Sequence, residues 1–260
     1  MTPLEPAALS DAHAHLESYT PEQLEGQIAR AKASGVGIVI ANGITLRSSM
    51  KSVEIAGRYD FMWATVGLHP YHCQRLAGEV GKLRELAASG KVVAIGEIGL
   101  DFVRAADPPE CQKPLFEQQL KVAVELGLPV VVHTRGAKQE TRDAIVRSGI
   151  SPDKVIIQGF TGGIESLKYW LDLGYYISIG SGVLDPGFEK LVAAVPRIPA
   201  EKLLLETDAA ARRTLSQGLE LATLKPIAEK VAELRGVPVD EIARITTANL
   251  KAVYGLNGAH

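Results

Sequence analysis

The chain has 260 residues, and 46% of them are hydrophobic, which is enough apolar material for one large α/β domain or two small ones. The 28 basic residues nearly balance the 30 acidic residues, so the net charge is −2 and no global positive field exists to hold a polyanion. Cys73 and Cys111 lie far apart and lack the spacing of a structural zinc site. This argues against a disulfide framework and predicts free thiols in a reducing compartment.

The N-terminal stretch MTPLEPAALS has no basic region followed by an apolar region, so a signal peptide is not indicated. No segment reaches about 18 consecutive apolar residues, which is the length that a membrane span requires. The sequence therefore predicts a soluble cytoplasmic protein.

Short β-branched runs alternate along the chain with segments of helical periodicity, several of which end at glycine. The runs are predicted to be strands that end near His15, Asn42, Gly67, Glu97, His133, Gln158, Ile179 and Asp208. Eight such strands over roughly 250 residues predict a single (β/α)8 TIM barrel, with one domain over residues 1–260 and a last helix at 239–255. A doubly wound open sheet is the alternative, but its Gly-rich dinucleotide-binding turn is absent after the first strand.

Imidazoles and carboxylates gather at the predicted strand ends. The first strand ends in DAHAH, so that Asp11, His13 and His15 point to one face. Later strands end at His69, Glu97, His133, Gln158 and Asp208. The carboxyl ends of the strands are where barrel enzymes build their active sites, and so many ionisable groups are costly to bury together without a cation. The mixed donor set favours zinc, manganese, iron or nickel over calcium.

Blocks along the chain resemble, in order, the signature motifs of the TatD-like metal-dependent hydrolases. They read DAHAHL, VGLHPYH, AIGEIGLDF, PVVVHTRGA, GFTGG, LLLETDA and TTANLKAVYGL. The resemblance implies an amidohydrolase-type barrel with a two-metal site. It also implies metal-dependent hydrolysis, most often of phosphodiester bonds in DNA, while some relatives act on ester bonds of aminoacyl-tRNA.

The resemblance also implies residue roles. One divalent metal ion would be held by four side chains, namely His13, His15, Glu97 and Asp208. Glu97 would bridge to a second ion, and Asp208 would orient a water molecule and take its proton, so these two carboxylates are the candidate catalytic residues.

The second ion would be shared with His133 and with a histidine that closes the sixth strand, but this chain has Gln158 there. A neutral amide oxygen is a poorer partner for zinc than an imidazole. We therefore expect one firmly bound divalent ion and a second, weakly bound ion, with zinc, magnesium and manganese as the candidates.

The candidate substrate-binding residues depart from the family pattern. His69 matches the family's HPH motif, but Tyr71 replaces its second histidine. Gly136 follows Arg135 where an acidic residue is common, and Arg212 lies where the family often has Pro-Tyr after ETDA. The substrate rim is therefore expected to differ from that of the family.

Three functions fit the sequence. The first is a deoxyribonuclease that acts on single-stranded or frayed DNA, because a barrel mouth is a pocket and the chain lacks the positive charge that duplex binding exploits. The second is a hydrolase of a carboxylic ester, amide, lactone or aminoacyl-tRNA ester on the same metal core. The third is a catalytically weak binding protein, for which Gln158 is the argument.

Overall fold

The computed structural model describes residues 8–210 and 219–256, which contain eight strands and ten α-helices. The strands are β1 (Leu9–Ala14), β2 (Val36–Asn42), β3 (Met62–Val66), β4 (Val92–Asp101), β5 (Val130–Arg135), β6 (Val155–Ile157), β7 (Tyr176–Ile179) and β8 (Leu203–Leu205). The helices are α1 (Pro21–Ala33), α2 (Leu46–Arg58), α3 (Cys73–Leu76), α4 (Val80–Ala87), α5 (Pro109–Leu126), α6 (Lys138–Ser148), α7 (Ile164–Leu171), α8 (Glu189–Ala194), α9 (Leu224–Arg235) and α10 (Val239–Tyr254). Within the described ranges, none of these helices is long and apolar enough to cross a membrane.

The eight strands form one sheet in which hydrogen-bonded neighbours follow chain order from β1 to β8. The pairs β3–β4, β4–β5, β5–β6 and β7–β8 are parallel, and at least one helix follows each strand. The prediction of a (β/α)8 barrel is therefore confirmed. β2 and β7 end at Asn42 and Ile179 as predicted, whereas β4 continues beyond Glu97 to Asp101.

The chain divides into two compact units. Unit 1 consists of Met1–Val39, Gly159–Ala252 and Leu256–His260, and unit 2 consists of Ile40–Gln158 and Val253–Gly255. The expectation of one domain over residues 1–260 stays a prediction.

In unit 1, backbone hydrogen bonds join the end of β1 to the segment that follows β8. The amide of Asp208 donates to the carbonyl of His13 at 2.9 Å, and the amide of His15 donates to the carbonyl of Ala209 at 2.8 Å. Successive side chains of a strand point to opposite faces, so residues 13 and 15 share one face. This register brings the side chains of His13, His15 and Asp208 to the same end of the two strands.

In unit 2, two buried glutamines of α5 hold the backbone at the ends of β3 and β4. The side chain of Gln119 accepts from the amide of Leu68 at 2.8 Å and donates to its carbonyl at 2.9 Å. Gln112, about two helical turns earlier, makes the same pair of bonds to Asp101 at 2.9 and 3.0 Å. One helix therefore fixes the backbone beside His69 and the last residue of β4.

Cys73 and Cys111 form a disulfide, so the prediction of free thiols is wrong. Cys73 begins α3 and Cys111 lies in the first turn of α5, and their Cα atoms are 5.9 Å apart despite a sequence separation of 38. The pairing depends on packing between α3 and α5, which cysteine spacing alone does not reveal.

Gly99 lies opposite His133 where β4 pairs with β5. Its φ of +142° is rare for residues with a side chain, and a Cβ there would lie 1.9 Å from the carbonyl oxygen of His133. We expect Gly99→Ala to lower the free energy of unfolding by roughly 3 kcal/mol, from overpacking and strain, in urea denaturation. Gly57→Ala is the matched control, because a Cβ at this position in α2 meets no atom within 4 Å. Equal stability of the two variants would contradict the close approach.

Candidate metal centres

Three side chains of unit 1 form the first donor group, called group A: His13, His15 and Asp208. The Nε2 atoms of the two histidines are 3.1 Å apart. The Oδ1 atom of Asp208 lies 3.3 Å from Nε2 of His15 and 3.8 Å from Nε2 of His13. Both imidazoles are buried, whereas 26% of the Asp208 side chain is exposed.

The spacing of group A fits a divalent ion. Tetrahedral ligands about 2.1 Å from zinc lie about 3.4 Å from one another, and the three measured separations are close to this value. Two neutral imidazoles and one carboxylate are also common ligands of zinc and manganese. The described residues of group A therefore offer three ligands and leave further coordination positions for water or substrate.

A buried carboxylate behind group A links β1 to the segment after β8. Oδ1 of Asp11 accepts from the amides of His13 and Thr207, and Oδ2 accepts from the Thr207 hydroxyl at 2.6 Å. Burial raises the pKa of Asp11 to about 7, although the hydrogen bonds from Thr207 and His13 act in the opposite direction. Asp11 thereby positions the backbone on both sides of group A.

Asp208 itself has a left-handed backbone with φ of +52°, a conformation that aspartate tolerates better than most residues. Its neighbours are held on both sides, because the hydroxyl of Thr207 accepts from the amide of Ala209 at 3.1 Å while donating to Asp11. This local network directs the Asp208 carboxylate toward the two imidazoles.

Three side chains of unit 2 form the second donor group, called group B: His69, Glu97 and His133. Oε1 of Glu97 lies 3.2 Å from Nδ1 of His133 and 3.4 Å from Nε2 of His69. These separations again match those of ligands around one small divalent ion. The amide of Tyr71 donates to Nδ1 of His69 and so fixes the orientation of that ring.

Asp101 orients the His133 ring of group B. Its Oδ2 atom lies 3.0 Å from Nε2 of His133, so that Nδ1 faces Glu97. Burial opposes the charge on His133, but hydrogen bonds to Asp101 and Glu97 raise its pKa to about 9. Burial also acts against the charge on Asp101, yet His133 and two backbone amides hold the pKa of this carboxyl well below its usual range. A carboxylate behind a ligating imidazole is a common arrangement in metal sites.

Sequence reasoning gave Asp101 no role, although one signal was present. Residues 97, 99 and 101 share a face if the strand continues, and β4 does continue to Asp101. The partner of Asp101 could not be read from the sequence, because His133 lies on the neighbouring strand.

Glu97, which the resemblance implies as a bridge between the two ions, lies beside His133 in group B. His69, expected to contact substrate, lies within ligand distance of Glu97 and His133. The roles of these residues stay predictions.

Gln158 immediately follows β6, and its amide donates to the carbonyl of Val132 at 3.0 Å. This bond places residue 158 beside His133 on the neighbouring strand. Residue 158 is therefore a neighbour of His133 in the sheet, and its role in metal binding stays a prediction.

Tyr71 packs against group B with ring centroids 4.2 Å from His69 and 6.2 Å from His133. Burial and then the charges of Asp101 and Glu97 raise the pKa of Tyr71, whereas Arg104 and Arg135 act in the opposite direction. The ring of Tyr71 therefore packs against group B, and the charges of Arg104 and Arg135 act on this ring. The predicted substrate residue Arg212 lies outside the described residues.

Residues 10–255 match the family model described as TatD related DNase. The chain belongs to this family. The protein named uncharacterized metal-dependent hydrolase YabD, from Bacillus subtilis, is 34% identical over 255 residues, which cover 96% of this chain and 100% of YabD. The protein named 3'-5' ssDNA/RNA exonuclease TatD, from Escherichia coli, is 35% identical over 239 residues, which cover 88% of this chain and 92% of TatD.

Among solved structures, the TatD homologue YjjV of Escherichia coli superposes with a TM-score of 0.84 and 27% identity, covering 95% of this chain and 98% of YjjV. The prediction of a TatD-family metal-dependent hydrolase is confirmed by these similarities. The chain spans nearly the full length of each of these relatives.

Substitution of Thr207 tests the hydrogen-bond network that positions the backbone of group A. Thr207→Val removes the hydroxyl that donates to Asp11 and accepts from Ala209, and it leaves a buried carboxylate oxygen without its hydrogen bond. We expect a loss of about 2 kcal/mol in the free energy of unfolding of the metal-free protein, measured by urea denaturation. Thr207→Ser keeps the hydroxyl and serves as the control. A valine variant as stable as the serine variant would show that the network contributes nothing.

Proposed function

We propose that this protein is a metal-dependent nuclease that hydrolyses phosphodiester bonds in single-stranded or frayed DNA. The observation that carries the proposal is the presence of two donor groups whose atoms are spaced like ligands around divalent ions. The names of the TatD relatives support a nucleic-acid substrate and a 3'-to-5' direction of cleavage. A cytoplasmic location, as expected from the sequence, belongs to the same proposal.

A divalent ion at such a group supplies Lewis acidity toward a phosphodiester and lowers the pKa of water. The side chains of the protein position the attacking water, accept its proton and orient the donors. Asp208 is the most exposed donor of group A, so its second carboxylate oxygen can hold and accept a proton of the attacking water. In group B, Asp101 keeps Nδ1 of His133 directed toward Glu97.

The surroundings of group B suit a nucleotide. The ring of Tyr71 is partly exposed and can stack on a base, which is a contact that every base can make. Arg135, at the end of β5, is partly exposed and can bind a phosphate. These contacts are local, in keeping with the net charge of −2.

Activity should depend on a divalent ion and on the carboxylate of Asp208. We expect Asp208→Asn to lower kcat on single-stranded DNA by about 10²–10⁴, because the amide cannot accept the proton of the attacking water. Asp172→Asn, at an exposed carboxylate that pairs with Lys168, is the matched control and should retain full activity. Undiminished cleavage by Asp208→Asn, or by the native protein in excess chelator, would refute the assignment.

The departure at Gln158 should limit the affinity of group B. Gln158→His places an imidazole beside His133, and we expect it to tighten the binding of zinc at group B by about tenfold or more. Isothermal titration of metal-free protein measures the change. Gln158→Ala, which removes the amide without adding a donor, is the control and should bind no more tightly than the native chain. If the histidine variant also binds no more tightly, residue 158 lies outside the ligand sphere.

Tyr71 should contribute to binding of single-stranded substrate. We expect Tyr71→Ala to raise KM for a single-stranded oligonucleotide by roughly tenfold through lost stacking, and Tyr71→Phe to leave KM nearly unchanged. Both variants are compared at equal metal content, because the ring contacts His69 and His133. Duplex DNA should be cut more slowly than single strands. Ready cleavage of p-nitrophenyl esters with no action on nucleic acid would favour the ester hydrolase instead.

A further inference from the structure

The disulfide between Cys73 and Cys111 joins two segments that each adjoin residues of group B or residues that position it. Cys73 follows the short 3-10 helix Pro70–His72, whose N-cap residue is His69. Cys111 stands next to Gln112, whose side chain holds the backbone of Asp101. The disulfide therefore links the segment that follows His69 to α5. This helix also holds the backbone of Asp101, which is the hydrogen-bond partner of His133.

Three further hydrogen bonds made by two glutamines show that this helix, α5, frames group B. Gln119 holds both backbone groups of Leu68, the residue before His69. Gln112 also donates to the carbonyl of Asp107 at 2.8 Å, in the loop that leads from Asp101 to α5. The disulfide is thus the covalent member of a set of links between α5 and the backbone that carries His69 and Asp101.

We propose that the Cys73–Cys111 disulfide is a reversible thiol–disulfide site whose redox state sets the metal affinity of group B. The inference rests on the proposal that group B holds a divalent ion. Oxidation holds the His69 segment against α5, and reduction removes this tie while the hydrogen bonds of Gln112 and Gln119 remain. The effect is therefore on the position of His69 and on ion binding, with the fold retained.

The surroundings of the two sulfur atoms determine how exchange proceeds. Cys73 is fully buried, whereas Cys111 is partly exposed, so Cys111 is the residue that we assign to attack by an incoming thiolate. A carboxylate oxygen of Asp107 lies within 4.8 Å of both sulfurs, and Oδ2 of Asp107 accepts from the amide of Gln74. Its negative charge disfavours thiolates and so favours the disulfide, whereas the N-terminus of α5 favours the thiolate of Cys111.

The exchange with a small dithiol balances in two steps. One thiolate of the dithiol attacks the Cys111 sulfur, the protein S–S bond breaks, and the electron pair leaves on the Cys73 sulfur, which takes up a proton. The second thiolate of the dithiol then attacks the dithiol sulfur of the mixed disulfide and closes a cyclic disulfide, and the Cys111 sulfur leaves as a thiolate that takes up a proton. The protein is reduced by two electrons and the dithiol is oxidised by two. A disulfide such as oxidised glutathione reverses the reaction.

The test is a titration of the metal-free protein with Mn²⁺ in its oxidised and reduced states, after anaerobic removal of the redox reagents. Mn²⁺ suits the test because it prefers oxygen and nitrogen ligands, so that newly formed thiols do not add a strong site. The binding step lost in His133→Ala belongs to group B, and the step lost in Asp208→Asn belongs to group A. A thiol reagent counts the free cysteines in each state.

We expect reduction to expose both thiols and to weaken the group B step by about tenfold, with the group A step unchanged. The double variant Cys73→Ser/Cys111→Ser should bind like the reduced protein whether or not it has been treated with dithiol, which controls for direct removal of metal by the reagent. Asp107→Asn, which removes the charge beside the sulfurs, should make the disulfide easier to reduce.

Three results would overturn the inference: two free thiols after treatment with oxidised glutathione, equal affinity of group B in the two states, or an equal loss at group A. The failure of the underlying proposal looks different, because His133→Ala would then remove no binding step in either state. A group B step that is present but insensitive to reduction refutes the redox site alone.

Discussion

Placing two imidazoles against one carboxylate in a largely buried position is the constraint on which each donor group depends. Desolvation of such groups is costly unless hydrogen bonds or opposite charge compensate it, so their positions must be imposed by surrounding structure. The protein imposes them through hydrogen bonds to the backbone. Asp11 and Thr207 fix the strand ends at group A, and Gln112 and Gln119 fix those at group B. These bonds join protein groups to one another, so they position the donors of each group through the backbone.

The fold and the strand-end donors were predictable because both follow from local patterns. β-branched runs, helical periodicity and glycine at helix ends indicate eight β/α repeats, and the polar residue after each run marks the carboxyl end of a strand. The assignment of donors to groups A and B was not predictable from spacing. It depends on which strand ends lie beside one another and on rotamers, as the contact between His69 and Glu97 shows. The disulfide was missed for the same reason, since it depends on how α3 packs against α5.

The position of His69 in group B changes the effect on metal binding that we expect from Gln158. With the sixth-strand histidine replaced, the remaining expected ligands were Glu97, His133 and a neutral amide, which is a poor set for zinc. The position of His69 adds an imidazole within ligand distance of Glu97 and His133. Group B therefore retains two imidazoles and one carboxylate, so under the proposed function the substitution would lower the affinity for the ion without removing the donor group. The argument for a catalytically weak binding protein loses its main support.

The position of His69 in group B also changes the role expected for Tyr71. If His69 is a ligand, Tyr71 is the residue of this segment that we expect to contact substrate. Its ring makes an edge contact with the ring of His69. Tyr71 replaces a family histidine, so a group that could donate or bind metal gives way to an aromatic face. Base stacking depends on ring area and tolerates every base, whereas an imidazole mainly recognises phosphate or metal. Under the proposed function, the departure from the family motif would move recognition at this position from charge to the base, in keeping with the net charge of −2.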